Sequence, residues 1–126
     1  MLTLYYKNKI KNIFFNIINQ KPDQEALVAN YHKLPKKIQV EWFRDGKFII
    51  GTIKAEGHEY VTQALSADEF VEMVNDTLYA VYEVPSNCIY AMKRLRPKQE
   101  ELKKLNNLSI KHSAMSLVRE KELVFA

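Results

Sequence analysis

The stretch 38–82 constrains this chain most, because a hairpin, a further strand and a capped helix follow from its residues in order. Asp45-Gly46 favours the type I′ turn of a tight β-hairpin, in which both central residues take positive φ. That turn predicts Arg44 opposite Lys47, Trp42 opposite Ile49, Val40 opposite Gly51 and Ile38 opposite Ile53. Ile38, Val40, Trp42, Ile49 and Ile53 then share an apolar face, with Gln39, Glu41 and Thr52 on the other. Gly57-His58 marks a second reversal, and residues 59–63 read as a third strand rich in β-branched and aromatic side chains.

Ser66-Ala67-Asp68-Glu69 is a capping box: the Ser66 hydroxyl accepts from the Glu69 amide, and the Glu69 carboxylate reaches back to the Ser66 amide. Asp68 and Glu69 also sit at the positive end of the helix dipole. Phe70, Val74, Leu78, Val81 and Tyr82, with Met73 beside them, recur at helical spacing, and Pro85 stops the helix. The unit is β-β-β-α, an α+β core in which a three- to four-stranded antiparallel sheet carries a helix on its apolar face.

A chain of 126 residues, 47% of them hydrophobic, suits one domain with extensions. Its single cysteine, Cys88, excludes an internal disulfide and a cysteine-based zinc site. Cys88 reads instead as a small apolar residue on a fourth strand over residues 88–92. No apolar run reaches the roughly 18 residues a membrane span needs, and the expected compartment is the cytoplasm.

The net charge of +4 conceals three blocks. Residues 1–37 carry seven lysines against Asp23 and Glu25, residues 38–87 carry three basic and nine acidic residues, and residues 88–126 carry nine basic and four acidic. An acidic core between basic flanks suggests two kinds of partner, a basic protein for the one and nucleic acid for the other. Residues 1–37 form a basic N-terminal extension, in which Tyr6, Ile10, Ile13, Phe14, Ile17 and Ile18 follow helical spacing among lysines. Such a helix suits core packing, a protein interface or a membrane surface. A second short helix is expected between Pro22 and Pro35. Residues 38–92 form the core, and residues 93–126 a basic helical segment, with a helix from Lys98 to about Asn107 after Pro97. Beyond Ser109 the period is ambiguous, and residues 122–125 suit a short strand or a fraying helix end.

No phosphate-binding glycine loop, zinc-protease motif or nucleophile elbow occurs, and the chain has only three glycines. His58 lies between Glu56 and Glu59, but adjacent side chains in a tight reversal point apart. No catalytic constellation, metal site or cofactor is expected. The run Lys93-Arg94-Leu95-Arg96-Pro97-Lys98 offers phosphate contacts without sequence readout, so Lys93, Arg94, Arg96 and Lys98 are the candidate nucleic-acid-binding residues.

Residues 38–84 resemble the HicB family of antitoxins, inhibitors in type II toxin–antitoxin pairs. The resemblance lies in Val40-Glu41-Trp42, in Asp45-Gly46-Lys47-Phe48-Ile49 and above all in the run from Tyr60-Val61-Thr62-Gln63-Ala64 through Leu65-Ser66-Ala67-Asp68-Glu69-Phe70. It covers a little over a third of the chain. Ala64 stands where the family usually has glycine, and Lys54-Ala55-Glu56-Gly57 replaces a longer proline-containing loop. The resemblance implies a partial RNase H-like core without catalytic acids, a stoichiometric inhibitor covering the active site of a small basic HicA-like ribonuclease. It also implies a homo-oligomer and an operator-binding module. Charge selects Glu41, Glu56, Glu59, Asp68 and Glu72 as the toxin-facing residues. The alternative is a stand-alone nucleic-acid-binding protein using the basic C-terminal segment; a scaffold or peripheral membrane protein anchored through residues 4–18 is a third reading.

Overall fold

A central strand with partners from both directions of the chain organises the protein. The computed structural model describes residues 23–119; the amphipathic helix expected over residues 4–18 and the tail at 122–125 lie outside the described residues. In chain order the elements are α1 (Gln24–Lys33), β1 (Lys37–Asp45), β2 (Phe48–Ala55), β3 (His58–Ala64), α2 (Ala67–Val81), α3 (Ser86–Ile89), β4 (Arg96–Pro97), α4 (Gln99–Asn106) and β5 (His112–Val118). The strands form one five-stranded sheet in the order β3-β2-β1-β5-β4, antiparallel at every step. The α+β class is as expected; the sheet is wider than the three or four strands anticipated.

The first hairpin has the predicted faces and a different turn. Asp45 pairs with Phe48, Trp42 with Gly51 and Val40 with Ile53, so the loop residues are Gly46 and Lys47 rather than Asp45 and Gly46. Gly46 takes φ +59° at the first central position, where a type II′ turn places its glycine. Type I′ would have forced positive φ on Asp45 as well. The pairing has moved by two residues, and because side chains alternate with period two, every one of them keeps its face. The apolar pattern therefore does not distinguish the two registers. The observed one sets Trp42 across from Gly51, where no side chain competes with its indole.

The type I′ geometry occurs at the second reversal, where Glu56 and Gly57 take φ +52° and +75° between the paired Ala55 and His58. The third strand then runs into the expected cap, with Ser66 Oγ accepting from the Glu69 amide at 3.2 Å. From α2, Phe70, Val74 and Leu78 are fully buried against the sheet. Phe70 packs directly on Gly51: a Cβ there would lie 2.3 Å from Phe70 Cζ. Gly51 is thus needed for close approach.

The C-terminal half departs furthest from expectation. Residues 88–92 do not form a strand; Ser86–Ile89 is a single helical turn that buries Cys88 against α1, where Asn30 Nδ2 lies 3.6 Å from its sulfur. A short apolar run has no period of its own to separate strand from buried helix. The segment expected to be helical from residue 93 onward holds α4 but also β4 and β5, and β5 lies beside β1 in the middle of the sheet. Pro97, expected to open the helix, sits in β4, and Lys98 is the helix N-cap. Met115 and Leu117 of β5 join the core, which extends back to Leu27, Tyr31 and Leu34 of α1 and its exit. Both boundaries expected from sequence, at residues 37/38 and 92/93, fall inside this one core.

Three polar side chains tie the C-terminal half down. Asn75 is fully buried; its Oδ1 accepts from Leu95 N at 2.8 Å while Nδ2 donates to Leu95 O and Val71 O, both at 2.9 Å. Arg44 donates through Nε to Ile110 O at 2.7 Å, and through Nη2 to Lys104 O, Leu105 O and Asn107 O, with its guanidinium 5.1 Å from the Trp42 ring centroid. It thereby caps the negative end of α4. Arg119 does the same for α1, donating to Tyr31 O at 3.2 Å and Leu34 O at 2.9 Å.

Three stability predictions follow from this packing. Trp42→Ala and Val74→Ala each cost about 2–5 kcal/mol as buried large-to-small changes, Gly51→Ala costs about 1–3 kcal/mol by overpacking, and exposed Glu41→Ala costs under about 0.5 kcal/mol. Urea denaturation measures all four, and a neutral Gly51→Ala contradicts the Phe70 contact.

Asn75→Ala leaves both polar groups of buried Leu95 without a partner. It lowers stability by about 3 kcal/mol, more than the exposed Asn106→Ala. The same denaturation series provides the comparison.

Burial pushes the Tyr79 hydroxyl up to about 12, and that hydroxyl has no hydrogen-bond partner among the described residues. The unfolded chain releases this proton near pH 10 while the folded protein retains it. Stability from this group is therefore complete below pH 10 and is lost as pH rises through about 12. Tyr79→Phe reduces that alkaline loss without destabilising the protein at neutral pH, as denaturation across the alkaline range measures.

Candidate partner-binding surface

The sheet has one covered face and one open one. Ile38, Val40, Trp42, Ile49, Ile53, Met115 and Leu117 point to the buried side. By strand alternation Glu41, Phe43, Thr52, Val61 and Ala114 point the other way. No described helix residue covers them. On this open face Val61 is 71% exposed, Phe43 47%, Val118 42% and Phe48 36%, and Ile50 is half-buried among them. A shallow depression of about 540 Å³ lies at its centre, lined by Glu41, Phe43, Thr52, His112, Ser113 and Ala114.

The acidic residues selected from sequence divide between this face and other places. Glu41 stands on the open face, across from Thr52 on one side and Ala114 on the other. Glu59 is on the same face, 3.9 Å from Lys54 of the neighbouring strand. Glu56 is in the β2–β3 turn near Tyr82 at the far end of α2. Burial, and then a hydrogen bond with Glu56, raises the Tyr82 phenol above its ordinary value. Asp68 and Glu72 lie on α2, away from Glu41.

The basic residues meet the last two of these acids. Asp68, Val71 and Glu72 of α2 face Arg94, Arg96 and Pro97 across a groove of about 340 Å³, closed at one end by Gln99 and Leu102 of α4. Arg94 Nη1 lies 3.9 Å from Glu72 Oε1, with both side chains about half exposed. Such a pair contributes little to stability, but it places opposite charge beside the guanidinium. Lys98 is exposed at the start of α4, and Lys93 is half-buried before the groove. The residues expected to form an acidic surface and a separate basic one thus share a mixed groove at Asp68, Glu72, Arg94 and Arg96. The sequence reading missed the apolar part of the open face. Its signal was available: Phe43, Phe48 and Ile50 have the opposite parity to the core residues of their strands.

Among the described residues, no group of three histidine, cysteine, aspartate or glutamate side chains is placed to hold a metal ion, and no helix is long and apolar enough to cross a membrane. Cys88 is buried, and burial raises its thiol further above the ordinary value, which makes it a poor nucleophile. Comparison with known proteins finds no protein-family model, no curated protein and no solved structure that matches this chain.

Proposed function

We propose that this chain is a non-catalytic, cytoplasmic binding module of the HicB-like antitoxin type, which captures a small basic ribonuclease through the open face of its sheet. The observation carrying this reading is the pair of exposed side chains Phe43 and Val61, with half-buried Ile50 on the strand between them, set among Glu41, Asp45 and Glu59. Exposed apolar side chains interspersed with carboxylates suit a basic protein, whose apolar contacts provide affinity while the charges steer approach. Phosphate backbones are repelled by the same carboxylates. The β-β-β-α unit, with Ser66 capping α2, occupies the residues that carry the HicB-like resemblance, which supports the reading at the level of local structure. The groove pairing of Arg94 with Glu72 weighs against a basic surface devoted to DNA, since part of its charge is neutralised within the chain.

The test begins with co-purification of the protein and a co-encoded small basic protein, followed by RNA cleavage with and without this chain. Glu41→Lys with Glu59→Lys lowers capture by about tenfold or more, because like charges then oppose each other across the interface. Reversal of Asp68 and Glu72 has a smaller effect, and reversal of Glu56 smaller still. If the neighbour neither binds nor is inhibited, the antitoxin reading fails. Duplex binding abolished by replacing Lys93, Arg94, Arg96 and Lys98 with alanine then establishes the stand-alone nucleic-acid role instead.

A further inference from the structure

The two edges of the sheet are finished differently. On the β4 side the last strand is only two residues long, one of them Pro97, which has no N–H to offer. Beyond it, the Ser116 amide on β5 donates to Glu101 Oε2 of α4 at 3.2 Å, so a helix carboxylate takes up a donor that would otherwise face a new strand. On the opposite side β3 runs for seven residues without a proline or a lysine, and no described strand pairs with its outer edge. Its one carboxylate, Glu59, is drawn toward Lys54 within the sheet. Val61 at the strand centre is 71% exposed, and Leu65 just past its end is 55% exposed.

We infer that the outer edge of β3 pairs antiparallel with β3 of a second copy of this chain, joining two five-stranded sheets into one continuous ten-stranded sheet about a twofold axis. The argument rests on self-complementarity. A twofold centred on Val61 aligns the whole strand, His58 opposite Ala64 and Ala64 opposite His58. Cross-strand neighbours in such a ladder share a face. On the open face Val61 then meets Val61, and each Glu59 meets the carboxamide of Gln63. On the covered face Tyr60 meets Thr62. No like charges oppose one another, and both exposed Val61 side chains lose water together. Leu65 comes opposite Gly57, which has no side chain to obstruct it. A centre one residue further along, on Thr62, aligns fewer residues and sets Glu59 against Leu65.

This pairing does not depend on the antitoxin reading, although it would bring two open faces side by side. Sedimentation of the full chain across a concentration series is expected to show a monomer–dimer equilibrium. Val61→Lys places two ammonium groups opposite each other and shifts the dissociation constant by about tenfold or more toward monomer. Val61→Cys provides the independent measurement. Cα atoms opposite one another in an antiparallel ladder are about 4.5–5.5 Å apart, within reach of a disulfide, so mild oxidation traps a covalent dimer. Gln63→Cys does not trap one, since each Gln63 stands opposite Glu59, and the native Cys88 is buried. A parent protein that is monomeric throughout overturns the proposal, as does a dimer that tolerates Val61→Lys and is not trapped through Val61→Cys. Failure of toxin capture alone leaves these readouts unchanged, and a dimer seen without any toxin supports the edge pairing by itself.

Discussion

A strand in the middle of a sheet has to satisfy hydrogen-bonding groups along both of its edges, and β1 does so with one neighbour from nearby in sequence and one from far along the chain. The β1–β2 ladder forms across a two-residue turn; the β1–β5 ladder joins Lys37 to Val118 and Phe43 to His112. All the chain between α2 and β5 must be routed so that β5 arrives in register. Closing so long a loop costs only slightly more entropy than closing a shorter one, because the cost grows logarithmically. The difficulty is to hold the intervening chain in one path. Asn75 fixes Leu95 through both its backbone groups, and Arg44 takes the carbonyls at the end of α4 and at Ile110, immediately before β5 starts. The Arg44 amide itself donates to Lys111 O at 2.8 Å, which continues the ladder into that connection.

Both arginine caps are placed by strands. Arg44 projects from the end of β1 and Arg119 follows the end of β5, where its amide donates to Lys36 O at 2.9 Å and its guanidinium lies 5.4 Å from the Tyr31 ring centroid. Each therefore links a strand pairing to the correct seating of a helix. If β5 were shifted along β1, Arg119 would no longer reach the carbonyls of α1, and Arg44 would lose Ile110. Register and helix placement are mutually dependent, which is the consistency across levels expected of a sequence that specifies one structure.

Local chemistry explains what was legible. Period-two alternation revealed the two faces of the hairpin, Ser66 with Glu69 located the start of α2 within a residue, and Pro22 and Pro35 bracketed α1, whose N-cap Asp23 accepts through Oδ1 from the Ala26 amide at 2.6 Å. The turn phase was illegible because a two-residue slip preserves every face; choosing between registers needed Trp42, Gly51 and Phe70 to be seen together. β5 was illegible because Ser113, Ala114 and Ser116 dilute the contrast that Met115 and Leu117 create. Residues 88–92 misled for the opposite reason, being apolar enough for a strand yet held in a helical turn by contacts with α1. The role of Asn75 was hidden by its position beside the solvent-facing residues of α2, as nothing local distinguishes a carboxamide that bonds water from one that bonds Leu95.

The candidate site was legible as a list of charges and not as a surface. Glu72 and Arg94 belong to blocks of opposite net sign in the sequence, yet the turn through α3 brings them to 3.9 Å. Folding thereby consumes part of the charge asymmetry that had suggested two separate surfaces. What is left unneutralised by nearby partners shifts attention to the open face, where Glu41 is surrounded by neutral neighbours and Phe43 stands beside it. A rigid sheet is a suitable support for such a face, because Glu41 and Phe43 stand on a strand held by ladders on both sides and need little further ordering when a partner arrives. The same regularity makes the β3 edge, which no described strand pairs, consequential, since the twofold proposed above offers a partner twice the surface without any new structure being built.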